Sequence, residues 1–299
     1  MIPTLEDQLS QSIEIAKERM AALDHADRQN VANLFLMPKP PPPADSEVPA
    51  ILSPSSVNCF FDCSAKWYYR KVLKLPEKRT GALILGTAVH HALIENFRQK
   101  IETKQDLDWI VVRTMFHKNL LDQIEVDRPP IPEWDDLRDA GFAMVRVYME
   151  QAAPAIEPAA VEEHVEGVIA GVPVHGYIDV RDVRGRIIDI KTAKKKPAGI
   201  TAAQRLQVAT YAMLHPQASG EVQIATLTKT RTVALHTESA TIAPPDRKLT
   251  GHLYSIARDQ MHTGLVVPNR ASFLCGKNCS YKARCLNDYG GVFAPEVSE

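Results

Sequence analysis

The stretch that most limits how this chain can fold is residues 176–192, GYIDVRDVRGRIIDIKT. Two β-rich runs flank Arg184-Gly185, which predicts a hairpin. With Val183-Arg184-Gly185 as a three-residue loop and the glycine in its left-handed position, Asp182 faces Arg186. In the same register Asp179 faces Asp189. Directly opposed side chains on one sheet face lie about 4.5–5.5 Å apart at Cβ. Two carboxylates at that distance repel unless a cation sits between them, which outlines a site for a hard divalent metal. Lys191, two residues past Asp189, projects from the same face. An ammonium there can steady a hydroxide nucleophile or the charge developing on a phosphate. Surface hairpins also carry Asp and Lys. Here, though, Ile187, Ile188 and Ile190 make the second strand strongly apolar, which sets Asp189 and Lys191 at the edge of a core. Gly176 and Gly185 bracket the hairpin at turn-like positions.

Three other features point at this hairpin. A helix is expected to open at Gly86 and to present His90 on its first turn; neutral imidazole is a common ligand for divalent metals such as manganese. His91 beside it reads as a packed or solvated histidine. Gln207 and Tyr211, four apart on the helix after the hairpin, share one face, where an amide and a phenol can position a phosphate or a base. Finally, Lys66, Trp67, Tyr68, Tyr69, Arg70, Lys71 and Lys74, then Lys78 and Arg79, form a dense basic and aromatic patch, with Lys194, Lys195 and Lys196 just past the hairpin. Cations meet phosphates and aromatic faces stack on bases. The net charge is only -1 and the pI about 6.8. A nucleic-acid partner must therefore be met by such a local patch.

Around the hairpin the chain reads as helices flanking a compact run of strands, an α/β architecture. Helices are expected from Ser53-Pro54 through Cys59 and Cys63 toward Tyr69, from Gly86 through Phe97, and over 106–124, 133–152, 201–215 and 245–263. Arg128-Pro129-Pro130 separates the third from the fourth. Strands are expected at 161–170, 173–182, 186–191 and 222–229, with another at 231–236. The first 37 residues read as a helical extension, in which Thr4 and Asp7 look like a capping pair and Leu5, Leu9, Ile13, Met20 and Leu23 recur at helical spacing. Such a helix packs on the main body or on a protein partner. Residues 38–50 form a proline-rich linker, PKPPPPADSEVP at its heart. Residues 51–299 are the catalytic unit. No phosphate-binding glycine loop of the motor enzymes is found. No secretory signal or membrane-length apolar run is seen either, so an intracellular, cytoplasmic protein away from membranes is expected.

The five cysteines are odd in number and clustered, Cys59 and Cys63 early and Cys275, Cys279 and Cys285 late. In a reducing cytosol such thiols read as metal ligands before they read as bridges. One early and three late thiolates supply four ligands, which suit a 4Fe–4S cluster or a structural zinc.

Taken in order, Ser53-x-Ser-x-Val-x-x-Phe60-x-x-Cys63-x-x-x-Trp-Tyr-Tyr, Gly86-x-x-x-His90, Gly176-x-x-Asp179, Asp189-Ile-Lys191-Thr192 and Gln207-x-x-x-Tyr211 resemble the RecB-like branch of the PD-(D/E)XK nucleases. The tail, with Cys275, Cys279 and Cys285, is similar to the iron–sulfur variety that includes the AddB nuclease subunit and the CRISPR adaptation nuclease. The resemblance implies a restriction-endonuclease-like core, a mixed sheet flanked by helices, with N- and C-terminal parts joined by an iron–sulfur cluster on Cys63, Cys275, Cys279 and Cys285. It implies magnesium or manganese held by His90, Asp179, Asp189 and the carbonyl of Ile190. Lys191 would activate the attacking water, and Gln207 and Tyr211 would help place DNA. The implied activity is an exonuclease on single strands or DNA ends, in recombination, repair or phage and CRISPR processing. The rivals are a non-catalytic DNA-binding or scaffold subunit and an iron–sulfur redox sensor. The chain departs from the pattern at Ser64, where proline is frequent, in the three residues between Cys275 and Cys279, and at Ile178, which replaces a proline.

Overall fold

Ser53 accepts the Ser56 N–H at 3.3 Å and opens helix α1 (Pro54–Asp62), with Pro54 at the first position, where its missing N–H costs nothing. The computed structural model describes residues 14, 48–127, 134–229, 232–264, 266–272, 274, 275 and 279–290. The expected N-terminal helix lies outside them apart from Glu14, as do most of the linker and the Arg128-Pro129-Pro130 break. The chain divides into two units, Pro42–Tyr281, and Met1–Pro41 with Lys282–Glu299.

In the larger unit α1 does not continue to Tyr69. Cys63 is extended (φ −159°), and a short helix α2 (Ser64–Trp67) and a π turn over Tyr68–Val72 follow it. Trp67, Tyr68 and Tyr69 are all buried, and the Trp67 Nε1–H donates to Ser56 Oγ at 3.0 Å. The aromatic half of the expected nucleic-acid patch is therefore core. Large rings next to an amphipathic turn gain more from leaving water than from waiting for a base.

Helix α3 (Gly81–Thr103) starts earlier than the glycine signal suggested, capped by Thr80, whose hydroxyl accepts the Leu83 N–H. Gly86 lies inside it, so His90 falls in the third turn and not the first. The glycine serves a close approach instead: a Cβ there would stand 2.8 Å from Thr192 Oγ1. Helices α4 (Trp109–Asp127) and α5 (Trp134–Gln151) join α3 in one layer. Val89, Leu93, Phe97, Phe116, Met144 and Tyr148 from that layer pack on Val180, Ile188, Ile190, Ala225 and Leu227 of the sheet.

The sheet holds β1 (Pro158–Ile169), β2 (Val172–Asp182), β3 (Ile187–Ala193), β4 (Glu221–Thr228) and β5 (Ala234–Thr241), side by side in that order. Only β3 and β4 run parallel; the other neighbours are antiparallel. The parallel pair needs a crossover, which helix α6 (Ala202–Leu214) supplies. A capping box between Thr201 and Gln204 opens α6, and its Val208, Ala209, Tyr211 and Ala212 cover the second sheet face with Val165, Ile178, Ile187, Val222 and Ile224. Helix α7 (Pro244–His262) packs on α6, where Tyr254 Oη and Thr210 Oγ1 lie 3.1 Å apart. In the smaller unit, helix α8 (Lys282–Tyr289) buries Cys285. No described helix is long and apolar enough to cross a membrane.

Candidate active site

The β2–β3 turn is built as its residues require. Gly185 takes a left-handed φ of 78°, its N–H reaches Asp182 O at 2.9 Å, and a Cβ there would strike Gln217 O at 2.3 Å. The ladder then runs Asp182 to Arg186, Arg181 to Ile187 and Val180 to Ile188. It stops there. One step further, the Ile190 N–H that would have bonded to Ile178 instead donates to Asp179 Oδ2 at 2.8 Å. In an extended strand the carbonyl of a residue projects to the same side as its N–H. The Ile190 carbonyl thus faces the same gap as Asp179. The other oxygen of Asp179 lies 3.1 Å from His90 Nε2 on α3.

Asp189 is 1% exposed. Its Oδ1 accepts from Lys191 Nζ at 2.8 Å and from Gln207 Nε2 at 3.0 Å, and the same Gln207 nitrogen lies 3.1 Å from Tyr211 Oη. All six side chains singled out in the sequence are thereby brought together: His90, Asp179, Asp189, Lys191, Gln207 and Tyr211. Gly176 belongs to this cluster as well, though not as a turn residue. It sits mid-strand in β2, and a Cβ there would lie 2.5 Å from Tyr211 Cε1, so the glycine makes room for the tyrosine ring.

The electrostatics separate the two carboxylates. Burial, then the charge of Asp179, pushes the Asp189 carboxyl up to about 6. Burial also opposes the Asp179 charge, but the hydrogen bond and charge of His90, the Lys191 ammonium and the Ile190 N–H outweigh it and hold that carboxyl below the ordinary range. Burial pulls His90 and Lys191 down, and their acidic partners more than compensate, so both are raised. Burial lifts the Tyr211 phenol to about 12, which keeps it protonated while its oxygen accepts from Gln207.

Among the described residues no three His, Cys, Asp or Glu side chains are gathered as a ready-made ligand set. The donors nevertheless fit a hard divalent ion. Asp189 Oδ2 is buried and meets no hydrogen-bond donor, an arrangement that costs free energy unless something positive completes it. Asp179, the Ile190 carbonyl and His90 supply the oxygen and nitrogen chemistry such an ion takes. Thr226, opposite Lys191 in the parallel ladder, also holds a buried hydroxyl without a partner. No sequence signal marks it, because only the β3–β4 register brings it beside the lysine.

The basic residues are divided. Lys66 and Arg70 pair with Glu77 at 2.9 and 3.2 Å, and Arg79 bonds to Thr87 and Gln123. Lys194, Lys195 and Lys196 are exposed just past β3. The cysteine tail folds back on α1 and α2: Val267 N–H donates to Ser64 Oγ at 2.7 Å, Asn269 Nδ2 to Asp62 O at 2.7 Å, and Asn269 N–H to Cys63 Sγ at 3.4 Å. Burial raises the Cys279 thiol, which also feels Cys63 and Cys275. Burial raises Cys59 too, with Cys63 and Lys66 nearby. Cys285 belongs to the smaller unit.

No curated protein matches the chain. A crystal structure named "Putative exonuclease", from Eubacterium rectale, superposes with a TM-score of 0.52 at 12% identity, covering 83% of this chain and 91% of its own. At that identity the likeness concerns the fold. A second solved structure, named only by a locus tag, reaches 13% identity and a TM-score of 0.33, covering 68% of this chain and 84% of its own, too weak to argue from. The model of the PD-(D/E)XK nuclease superfamily matches residues 51–286, most of the chain. With that match laid over a mixed sheet flanked by helices, the chain belongs to the PD-(D/E)XK nuclease superfamily.

Proposed function

We propose that this protein is a magnesium- or manganese-dependent deoxyribonuclease of the RecB-like branch, acting as an exonuclease on single strands or DNA ends. The observation that carries the reading is the buried Asp189, with one oxygen unmet and the Asp179 charge pressing on it. His90, Asp179, Asp189 and the Ile190 carbonyl are the residues that would hold the ion. When bound, the ion lowers the pKa of water to give a nucleophile at neutral pH and offsets charge at the leaving oxygen. Lys191, held against Asp189 and kept charged by its neighbours, orients the attacking water and meets the phosphate. Gln207 is fixed between Asp189 and Tyr211, and with the tyrosine positions the strand. The exposed lysines at 194–196 add attraction for the backbone beside the site.

The same reading gives Cys63, Cys275 and Cys279 to an iron–sulfur cluster, or to structural zinc, that ties the tail to α1. Such a group fastens ends that are far apart in sequence, so its loss weakens the fold before the chemistry. Iron and sulfide analysis of anaerobically purified protein decides between the two occupants. A Cys279→Ala variant with unchanged colour and melting removes both.

The enzymatic test is digestion of 5′- and 3′-labelled single- and double-stranded DNA with and without divalent metal. Metal-dependent shortening that Asp189→Ala and Lys191→Ala abolish is the expected result. Full activity in both variants ends the proposal, and a wild type that binds DNA without cutting it favours a non-catalytic subunit.

A further inference from the structure

Strands β1 and β2 turn over together at one pair of positions. On one side of it, Val161 and Val180 pack with Ile188 and Ile190 against α3, α4 and α5. On the other, Val165 and Ile178 pack with Val208, Ala209 and Tyr211 of α6. Residues two or four apart on a regular strand share a face, yet Ile178 and Val180 face opposite layers, and so do Val161 and Val165. The pairing does not slip, since Val161 to Val180 and Glu163 to Ile178 keep one register. Between these pairs stands Glu162, opposite Asp179. Glu162 has a φ of +47°, a left-handed backbone that residues with a Cβ rarely adopt.

The crossing has a consequence for the neighbouring strand. Beyond it β2 leaves β3, and Leu52 takes the vacated edge, its N–H donating to Pro173 O at 3.0 Å and its carbonyl accepting His175 N–H at 3.0 Å. Asp179 sits at the fork, where its carboxylate reaches Ile190 N–H and His90. The Glu162 carboxylate is itself engaged by Arg98 at 2.7 Å. Its charge also acts on the site, helping to raise His90, so backbone and charge are separable contributions.

We infer that Glu162 is a positioning residue: its left-handed turn flips the β1–β2 pair and thereby aims Asp179 into the gap beside Ile190. The inference rests on the reading of Asp179 as a group that holds the cation. Glu162→Asn and Glu162→Gly accept the left-handed conformation, whereas Glu162→Val resists it.

The test measures kcat and the half-saturating Mn2+ for cleavage of a single-stranded oligonucleotide, with Asp179→Ala as reference. It also follows hydrogen exchange at the Ile190 amide, which does not depend on activity. The Asn and Gly variants should stay within about threefold of wild type. The Val variant should need about tenfold to a hundredfold more Mn2+, in line with the loss from misplacing a catalytic group by about 1 Å, and its Ile190 amide should exchange at least about tenfold faster. If the Val variant does not fold, Glu162→Ala takes its place, with the same direction and a smaller shift. Wild-type metal dependence and exchange in the Val or Ala variant overturn the inference. So does equal impairment of the Asn and Gly variants, which would assign the role to the carboxylate. An active Asp179→Ala enzyme refutes the reading of the site alone, and the Ile190 exchange rates then still decide the role of the turn.

Discussion

Asp179 takes the backbone N–H of Ile190 through Oδ2 at 2.8 Å, intercepting the donor that would have extended the β2–β3 ladder. A carboxylate lodged between two strands is held by backbone as well as by side chains. Among the described residues its partner Asp189 is held by side chains alone, Lys191 and Gln207. The two acids therefore answer differently to substitution.

Asp189→Asn should abolish cleavage and at the same time raise the melting temperature near pH 7.5 in metal-free buffer. A carboxyl whose folded pKa is raised contributes stability only while protonated, and that contribution is lost as pH rises from the ordinary range through about 6. The neutral amide escapes this loss, so a gain of about 2–4 °C is expected. Scanning calorimetry checks it; a lower melting temperature would mean that ionised Asp189 is a stabilising group. Divalent metal should stabilise the wild type and leave the variant unmoved.

Lys191→Ala should slow cleavage by about 10²-fold or more, the scale of removing a preorganised charge from a transition state. Its melting temperature should move little, because Asp189, relieved of its ammonium, can stay protonated. Single-turnover rates and calorimetry on the same preparation test both halves.

Gly176→Ala and Tyr211→Phe separate the two uses of the tyrosine. The added methyl runs into the Tyr211 ring 2.5 Å away, and overpacking of this kind costs about 1–3 kcal/mol. It should also drag Gln207 off Asp189 and lower kcat. Tyr211→Phe keeps the ring and loses only the hydroxyl, so it should fold as well as wild type and raise KM for DNA more than it lowers kcat.

Asp246→Asn gives a pH signature remote from the site. Asp246 accepts two bonds from Arg205 and the Ala243 N–H at the start of α7, and the Arg205 bonds lead in holding its carboxyl below the ordinary range. The stabilisation is full above the ordinary carboxylate pKa and is lost as pH falls through the depressed value. The variant should be less stable by about 1 kcal/mol at pH 7, and the difference should begin to shrink only below about pH 4 and close once the pH has fallen past the depressed value. Urea titrations of both proteins at pH 7 and at a series of pH values descending from about 4 would show it.

Much of this was readable from the chain because it depended on local rules. The turn at Gly185, the β2–β3 register as far as Val180 and Ile188, and the four-residue spacing of Gln207 and Tyr211 all follow from backbone geometry over short spans, whereas the ladder ends before 179 and 189 could pair as the hairpin predicts. Elsewhere tertiary contact decides, and local composition does not carry it. Gly86 looked like a helix start and is a contact with Thr192; Gly176 looked like a turn and is a seat for Tyr211. Trp67, Tyr68 and Tyr69 looked like a stacking platform and are core, since a basic run with aromatic residues has the same composition in either role. The fork at Asp179 had no sequence mark. It needs Glu162, seventeen positions away, in a conformation its residue type disfavours.

Mn2+ titration calorimetry on metal-stripped protein reads whether the paired acids seat a divalent cation. Saturable Mn2+ binding by the wild type should disappear in Asp179→Ala/Asp189→Ala, while the Asp246→Asn variant binds as the wild type does. Undiminished Mn2+ binding by the doubly substituted protein would contradict it.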